Sequence, residues 1–248
     1  MARGSSTGAP AGSPTGPPAG RPTGPPTGST ADLFADADAE PADPGPPVDL
    51  APGAVVLPRL ALAEAPALLD CVHAVLAQAA LRHLFTPGGL RMSVAMSNCG
   101  ALGWVSDRTG YRYDPLDPDT GRAWPAMPEQ LRDLARHAAA LAGYAGFRPD
   151  ACLINRYEPG ARLSLHQDRD ERDFAQPIVS ISLGLPAVFV FGGPRRTDPT
   201  RRVPLFHGDV VVWGGPSRLN HHGVLAVKAG VHELTGAARF NLTFRVAG

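Results

Sequence analysis

The stretch that decides the fold is "PIVSISLGLPAVFVFGG", residues 177–193. It holds two short runs of β-branched and aromatic residues, and it ends in a Gly-Gly pair followed by Pro194. Runs of this kind, bounded by Gly and Pro, are typical of β-strands. Many short strands at close spacing predict a β-sandwich or jelly roll over about residues 150–248. The other runs of the same texture are "DACLINRY" (150–157), "RVPLF" (202–206), "GDVVVWGG" (208–215) and "RFNLTFRV" (239–246).

Two amphipathic helices are predicted upstream of these strands. Residues 61–85 carry apolar side chains at helical spacing, and residues 126–144 do the same. Pro128 suits the first turn of the second helix, and Gly143 suits its end. We expect both helices to pack against one outer face of a sheet, because an apolar stripe must be buried against another element.

The segment of about residues 90–125 lies between the two helices and has a different character. Gly and Asp interrupt it, and Trp104, Tyr111 and Tyr113 are spaced along it. A long segment with exposed aromatic side chains is typical of a functional lid rather than of core, so a lid is predicted here.

Residues 1–50 are a Pro-, Gly- and Thr-rich stretch with almost no large apolar side chains. Such a composition cannot bury enough surface to offset the entropy of ordering the chain. We therefore predict a disordered tail over 1–50 and a folded domain over 51–248. The net charge of zero divides into −4 for the tail and +4 for the domain. This mild basic excess is compatible with a polyanionic partner.

The composition favours a cytoplasmic protein. Its three cysteines are far apart and odd in number, which indicates a reducing compartment without a disulfide framework. The first residues contain no apolar segment of a secretory signal, and no apolar run is long enough to span a bilayer. We expect no membrane association, and a monomer is the default expectation.

A pair of metal-ligand residue types stands at the end of one predicted strand. In "LSLHQDRDE", His166 and Asp168 share one side if the chain stays extended. By themselves they could hold a metal or form an ordinary surface pair. "RLNHHGV" offers a third ligand, His221 or His222, from a strand far along the chain. Two histidines and one carboxylate that leave open positions are the site type of non-heme Fe(II) oxygenases.

The predicted strand "RFNLTFR" alternates polar and apolar side chains. Its Arg239, Asn241 and Arg245 share one face, and apolar residues occupy the other. Guanidinium groups that face a barrel interior need an anionic partner, because an unpaired buried charge is costly. A small dicarboxylate would satisfy both arginines by bidentate pairing. Asn155 and Tyr157, on one face of another predicted strand, add polar donors for the same ligand.

With these motifs in place, the chain resembles the AlkB family of Fe(II)- and 2-oxoglutarate-dependent nucleic-acid dioxygenases. The resemblance implies a mostly β fold with flanking helices: a double-stranded β-helix (jelly-roll) core and an N-terminal helical and nucleotide-recognition-lid extension. Fe(II), 2-oxoglutarate as cosubstrate and O2 are the implied cofactors. The motifs that carry it run from about Arg59 to Ala247: "SVAMSNCGALGW", "GYRYDPLDP", "WPAMP", "PDACLINRYEPGARLSLHQDRDE", "PIVSISLGLPAVFVFGG", "HGDVVVWGG" and "ARFNLTFR".

The resemblance also implies the metal and cosubstrate ligands. His166, Asp168 and His222 would ligate the iron. The family places its second histidine ligand directly before a glycine, which selects His222 and leaves open whether His221 competes for the metal or supports its neighbour. 2-Oxoglutarate would be held by Asn155, Tyr157, Arg239, Asn241 and Arg245.

Substrate contacts follow from the same resemblance. A flipped, methylated base would stack on Trp104 and His166, and Asp170 falls where the family reads the exocyclic amine of the base. Glu171, in contrast, is interpreted as part of a solvated acidic turn. The remaining substrate contacts, most of them to the nucleic-acid backbone, would come from Tyr111, Arg112, Tyr113 and Arg196.

The implied reaction is oxidative demethylation of N1-methyladenine and N3-methylcytosine in single-stranded DNA, with RNA as a further substrate. It releases formaldehyde and succinate. Two alternatives stay open: the same chemistry on tRNA, a protein side chain or a small molecule, and a non-catalytic nucleic-acid-binding module. The lid aromatics Trp104 and Tyr111, together with Arg112 and Arg196, favour a base-plus-phosphate substrate over a small molecule.

Overall fold

The computed structural model describes residues 45–248, which form fourteen β-strands and two α-helices. The first 44 residues, with most of the predicted tail, lie outside the described range. The helices are α1 (Ala65–Leu76) and α2 (Glu129–Leu141). The strands are β1 (Val48–Ala51), β2 (Ala54–Leu57), β3 (Arg82–Phe85), β4 (Arg91–Gly100), β5 (Gly103–Asp107), β6 (Gly110–Asp114), β7 (Ala151–Tyr157), β8 (Leu163–His166), β9 (Ile178–Gly184), β10 (Ala187–Phe191), β11 (Arg201–Leu205), β12 (Val210–Trp213), β13 (His222–Val224) and β14 (Arg239–Arg245).

The strands form two packed antiparallel sheets and a separate hairpin. The major sheet has eight strands in the order β1-β2-β12-β9-β14-β7-β4-β3, and the minor sheet has four in the order β11-β10-β13-β8. Strands β5 and β6 make the hairpin. One buried apolar cluster draws on both sheets, and in it the rings of Phe189 and Trp213 lie 6.0 Å apart. The predicted jelly-roll core is confirmed.

The two helices cover the outer face of the major sheet. On β14, Phe240, Leu242 and Phe244 lie in the same buried cluster as the apolar sides of α1 and α2. The alternating polar side chains of β14 therefore point toward the minor sheet. Burying one large apolar side chain is worth about 1.5–3 kcal/mol, so these three residues strongly favour one orientation of the strand. The predicted packing of both helices on one sheet face is confirmed.

The first helix is shorter than its pattern predicts. Helix α1 has Pro66 in its first turn and ends at Leu76. Residues 82–85 form β3 instead, which pairs with β4 at the edge of the major sheet. This pairing satisfies backbone groups of β4 that would otherwise stay open, and it outweighs the helical spacing of a few apolar side chains. Helix α2 stays within the predicted 126–144, and the chain turns at Gly143, whose φ of +88° suits glycine.

The segment predicted as a lid contributes to two parts of the fold. Strand β4 takes up ten of its residues and lies inside the major sheet, between β3 and β7. The hairpin β5–β6 follows and carries Trp104, Tyr111 and Tyr113. At the start of the described range, β1 begins at Val48, so the last residues of the predicted tail pair with β2 at the sheet edge.

The cysteines are free thiols. Cys99 and Cys152 are buried in the outer apolar cluster, and burial raises the pKa of the Cys152 thiol well above its ordinary value. A thiol with a raised pKa is a poor nucleophile, so Cys152 acts as a small apolar core residue. Neither described helix combines the length and apolar character needed to cross a bilayer.

Gly223 sets how closely β13 approaches β8. A Cβ at this position would meet the carbonyl oxygen of Leu163 at 2.6 Å and the backbone nitrogen of Leu165 at 3.1 Å. We therefore expect Gly223→Ala to force the two strands apart and to lower the free energy of unfolding by about 1–3 kcal/mol, the usual cost of overpacking. Equilibrium unfolding in urea measures this loss.

Gly88→Ala is the matched control for that substitution. Gly88 lies in an exposed turn, and the nearest heavy atom to an added Cβ is Oγ1 of Thr86 at 3.9 Å. A Gly223→Ala protein as stable as the Gly88→Ala protein would contradict the close approach of the two strands.

Candidate iron centre and cosubstrate pocket

Three ligand-type side chains converge where β8 and β13 pair. His166 ends β8, and His222 begins β13 directly opposite it in the antiparallel register. Asp168 lies just beyond the end of β8. The ligand atoms of all three lie within 4.8 Å of one another, which fits one metal ion. The fold thus brings together two sequence motifs that lie far apart in the chain.

Backbone carbonyls select the nitrogen that each histidine offers to a metal. Nδ1 of His166 donates to the carbonyl oxygen of Ser164 at 2.9 Å, and Nδ1 of His222 donates to that of Asn220 at 3.0 Å. With Nδ1 protonated, the lone pair is on Nε2. The two Nε2 atoms lie 3.6 and 3.7 Å from the carboxylate oxygens of Asp168. Such hydrogen bonds typically orient metal-bound histidines.

His222, and not His221, belongs to this cluster. Burial and the neighbouring His166 lower the pKa of His222 to about 3, so its imidazole is neutral at neutral pH, the form that binds a metal. Nδ1 of His221 lies 3.3 Å from the carbonyl oxygen of Gly193 instead. The geometry favours His222 as the ligand.

Arg245 holds the carboxylate of Asp168 in place. Its Nη2 and Nε atoms donate to Oδ2 of Asp168 at 2.6 and 3.0 Å. Burial by itself would raise the pKa of Asp168, but the charge of Arg245 and its hydrogen bonds outweigh this effect and lower that pKa well below its ordinary range. Asp168 is therefore ionised at neutral pH and ready to bind a metal.

Arg239 is a buried cation without an anionic partner among the described residues. It is 1% exposed; its Nη2 donates to Oγ of Ser182 at 3.0 Å, and its guanidinium carbon lies 5.0 Å from the centre of the Tyr157 ring. Within the described range, its Nε and Nη1 have no hydrogen-bond partner. Burial lowers the pKa of Arg239, as expected for an uncompensated charge. This side chain fits a carboxylate, which accepts two parallel hydrogen bonds.

The other residues predicted to bind the cosubstrate lie on β7 and β14. Asn155 and Asn241 face each other across β7 and β14, and Nδ2 of Asn155 donates to Oδ1 of Asn241 at 3.3 Å. Oδ1 of Asn155 is buried and lacks a partner in the described part of the chain. Tyr157 is opposite Arg239 in the same register. With Arg245 beside the metal ligands, this polar face fits a dicarboxylate such as 2-oxoglutarate.

The hairpin brings an aromatic pair to a carboxylate. Trp104 stacks on Tyr111, with ring centroids 5.5 Å apart and planes 12° from parallel. Nε1 of Trp104 donates to Oδ2 of Asp170 at 2.7 Å. The backbone of Trp104 is fixed by the side chain of Asn98, which both donates to it and accepts from it. Trp104 and Asp170, which are predicted to contact a base, are therefore neighbours of Tyr111, which is predicted to contact the nucleic-acid backbone.

Glu171 is buried, so its interpretation as a solvated turn residue is wrong. It is 6% exposed, and it accepts hydrogen bonds from Oη of Tyr113 at 2.8 Å and from Nη2 of Arg218 at 3.0 Å. One of its oxygens lies 3.2 Å from Nε of Arg245. The sequence reasoning missed both Glu171 and Arg218, because their burial depends on segments that are distant in the chain. The one feature of the sequence that could have indicated a role for Glu171 is its position directly after Asp170.

Two arginines predicted to contact the substrate have protein partners. Arg112 forms ion pairs with Asp107 at 2.9 Å and with Asp114 at 3.4 Å. Arg196 is exposed, and its Nη1 donates to the carbonyl oxygen of Leu165 at 2.5 Å. Arg196 therefore lies beside the iron centre, whereas Arg112 braces the hairpin.

Known proteins with similar sequences agree with this geometry. A family model described as the 2OG-Fe(II) oxygenase superfamily matches residues 53–245. The alpha-ketoglutarate-dependent dioxygenase AlkB of Salmonella typhimurium is 59% identical over 216 residues, which cover 87% of this chain and 97% of the relative. The DNA N(6)-methyladenine demethylase ALKBH1A of Arabidopsis thaliana is 39% identical over 131 residues, 52% of this chain and 36% of the relative.

A solved structure shows the same architecture. The structure of OsALKBH1 matches with a TM-score of 0.70 and 28% identity, over 81% of this chain and 99% of that chain. The superfamily model covers both helices, the hairpin and every other strand except β1, and the Salmonella relative is matched over nearly its whole length. This chain therefore belongs to the AlkB family of the 2OG-Fe(II) oxygenase superfamily.

Proposed function

We propose that the protein demethylates alkylated nucleobases, with N1-methyladenine and N3-methylcytosine in single-stranded DNA as substrates and RNA as a further one. Membership of the superfamily supplies the cofactors: Fe(II), 2-oxoglutarate and O2. The relatives support the substrate class, since one is a DNA N(6)-methyladenine demethylase. We also propose that the protein acts as a cytoplasmic monomer.

The carboxylate of Asp170 beside the aromatic pair is the observation that carries the proposal. Bases methylated at these ring nitrogens carry a positive charge, so a nearby carboxylate stabilises them. Asp170 accepts from Trp104 through Oδ2 alone, and Oδ1 has no protein donor among the described residues. Trp104 and Tyr111 offer ring faces, and stacking on such faces is worth about 1–3 kcal/mol per base. Together these groups suit a planar, cationic and aromatic ligand.

The other residues of the candidate iron centre have separate proposed roles in the reaction. With Fe(II), 2-oxoglutarate and O2 bound, the centre would supply the chemistry to hydroxylate the N-methyl carbon. One oxygen atom of O2 would enter the methyl group, which leaves as formaldehyde, and the other would enter 2-oxoglutarate, which is converted to succinate and CO2. His166, Asp168 and His222 would hold the metal. Arg239 and Arg245 would orient the cosubstrate from opposite ends. The buried polar face limits the access of water to this reaction.

Single-stranded substrates fit this arrangement best. A methyl group on the Watson–Crick edge prevents pairing, which lowers the cost of moving the base out of a stack. Entry of the base would exchange the hydrogen bond between Trp104 and Asp170 for contacts with the ligand. This hydrogen bond has a charged acceptor and is worth about 1.5–3 kcal/mol, which contacts between Asp170 and a cationic base would replace.

We expect a DNA oligonucleotide with one N3-methylcytosine to lose one methyl group when it is incubated with protein, Fe(II), ascorbate and 2-oxoglutarate. Mass spectrometry measures the loss, and the control lacks 2-oxoglutarate. Formation of succinate without loss of the methyl mass would show an active oxygenase with a different substrate. Methylated tRNA would then be tested next.

His222→Ala should abolish Fe(II)-dependent turnover, with a loss greater than the roughly 10–100-fold that changes around a metal ligand cause. His221→Ala is the matched control, because it removes the adjacent imidazole and should leave both iron binding and turnover near the wild-type values. Anaerobic titration with Fe(II) measures binding without turnover. If the His221 variant alone lost the metal, the assigned ligand would be wrong by one residue.

Asp170→Asn should lower kcat/KM for the N3-methylcytosine oligonucleotide by about 10- to 100-fold, since hydrogen bonds to charged groups contribute about 1.5–3 kcal/mol. The KM for 2-oxoglutarate should stay unchanged, because Asp170 does not contact the cosubstrate residues. Asp133→Asn on the exposed side of α2 makes the same chemical change away from the site. Equal kinetics in the two variants would remove Asp170 from substrate recognition.

A further inference from the structure

A cavity of about 460 Å³ opens beside the aromatic pair. Its wall includes Tyr111 and Tyr113 from the hairpin and Asp170 from the turn that follows the iron centre. Two arginines, Arg112 and Arg172, complete its polar lining. The cavity therefore adjoins the carboxylate that recognises the base in the proposed function, and a neighbouring nucleotide of the same strand must lie close to it.

The two arginines differ in how their charges are compensated. Arg112 lies between Asp107 and Asp114, at 2.9 and 3.4 Å, and its hydrogen bond to Asp107 raises its pKa. Arg172 is exposed, and its side chain makes no ion pair or hydrogen bond with any residue in the described range. Arg172 is thus the cation of this wall that an incoming anion can reach without breaking an existing pair.

The carboxylates around the cavity mean that a phosphate can bind there only if an accessible cation compensates their charge. Asp107 and Asp114 already exceed the single charge of Arg112, and Asp170 adds another negative charge to the wall. A phosphodiester near this wall would meet repulsion from these acids. A guanidinium group offsets this repulsion well, because its planar fork donates two parallel hydrogen bonds to phosphate oxygens.

From this difference we infer that Arg172 binds a phosphate of the nucleotide next to the flipped base, a role that the sequence resemblance gives to Arg112. The inference rests on the proposed function, since it requires a nucleic-acid substrate, and it narrows that substrate to a polynucleotide. A free methylated nucleoside has no phosphate for Arg172 to bind. A contact to phosphate strengthens binding to all sequences alike, whereas a contact to a base discriminates between bases.

The test is the salt dependence of binding to a labelled single-stranded DNA oligonucleotide, measured by fluorescence anisotropy with the full chain. Salt is varied between about 50 and 200 mM, and the slope of the logarithm of affinity against the logarithm of salt is compared. Arg172→Ala should reduce that slope by about 0.7, the value for one phosphate contact on a single strand. The reduction should be the same for methylated and unmethylated oligonucleotides.

Arg136→Ala is the matched control, since Arg136 is exposed on α2, on the side of the major sheet away from the cavity. It makes the same change in net charge and should leave the slope at the wild-type value. Arg172→Lys should restore most of the slope because it keeps the charge.

The outcomes distinguish a failure of the proposed role of Arg172 from a failure of the proposed function. Equal slopes for Arg172→Ala and Arg136→Ala would overturn the role of Arg172 and leave the proposed function intact. A reduced slope in Arg112→Gln but not in Arg172→Ala would return the role to Arg112 and would also overturn the inference. A wild-type protein that shows no salt-dependent binding to the oligonucleotide would overturn both the nucleic-acid substrate and the inference that depends on it.

Discussion

The ion pair between Asp168 and Arg245 is the interaction on which the site depends. Its two charges are buried together with those of Glu171 and Arg218, so two acids and two bases balance within one cluster. Removing one member of a buried pair costs about 3–5 kcal/mol, because it leaves a charge without compensation. The cluster therefore requires all four side chains at once. A metal ion and a dicarboxylate bring opposite charges in equal number, so their joint binding preserves this balance.

The same cluster connects the iron centre to the hairpin. Arg218 donates to the backbone carbonyls of Asp168 and Gln176, which fixes both ends of the turn after β8. Glu171 within that turn accepts from Tyr113 on β6. A buried charge-assisted hydrogen bond thus anchors the base of the hairpin, while Tyr111 at its outer side is 46% exposed. The hairpin is rigid where it meets the metal ligands and open where a substrate would approach.

The sequence predicts those parts of the protein that depend on local pattern. The alternation along β14 predicts that Arg239 and Arg245 face inward. The residue types predict that His166 and Asp168 converge with His221 or His222, and the family resemblance selects His222. The short strand β3 and the burial of Glu171 could not be predicted, because each depends on a partner segment far along the chain. The ion pairs of Arg112 with two carboxylates follow from the hairpin register, which puts them within reach of one another. The closeness of these residues in sequence does not by itself reveal that two carboxylates already compensate the charge of Arg112.

The buried and exposed parts of the site differ in how strongly their charges interact. The inner cluster tolerates little change, because every member compensates another in a medium of low dielectric constant. The outer wall, with Tyr111 and Arg172, is solvent-exposed, so each contact there is weak, screened by salt and replaceable. The cluster around Asp168 therefore fixes the geometry of the candidate iron centre, whereas the proposed contacts to the nucleic-acid backbone lie on the wall. Substitutions on the wall would therefore alter the binding of nucleic acid without any change in the iron centre or in the fold.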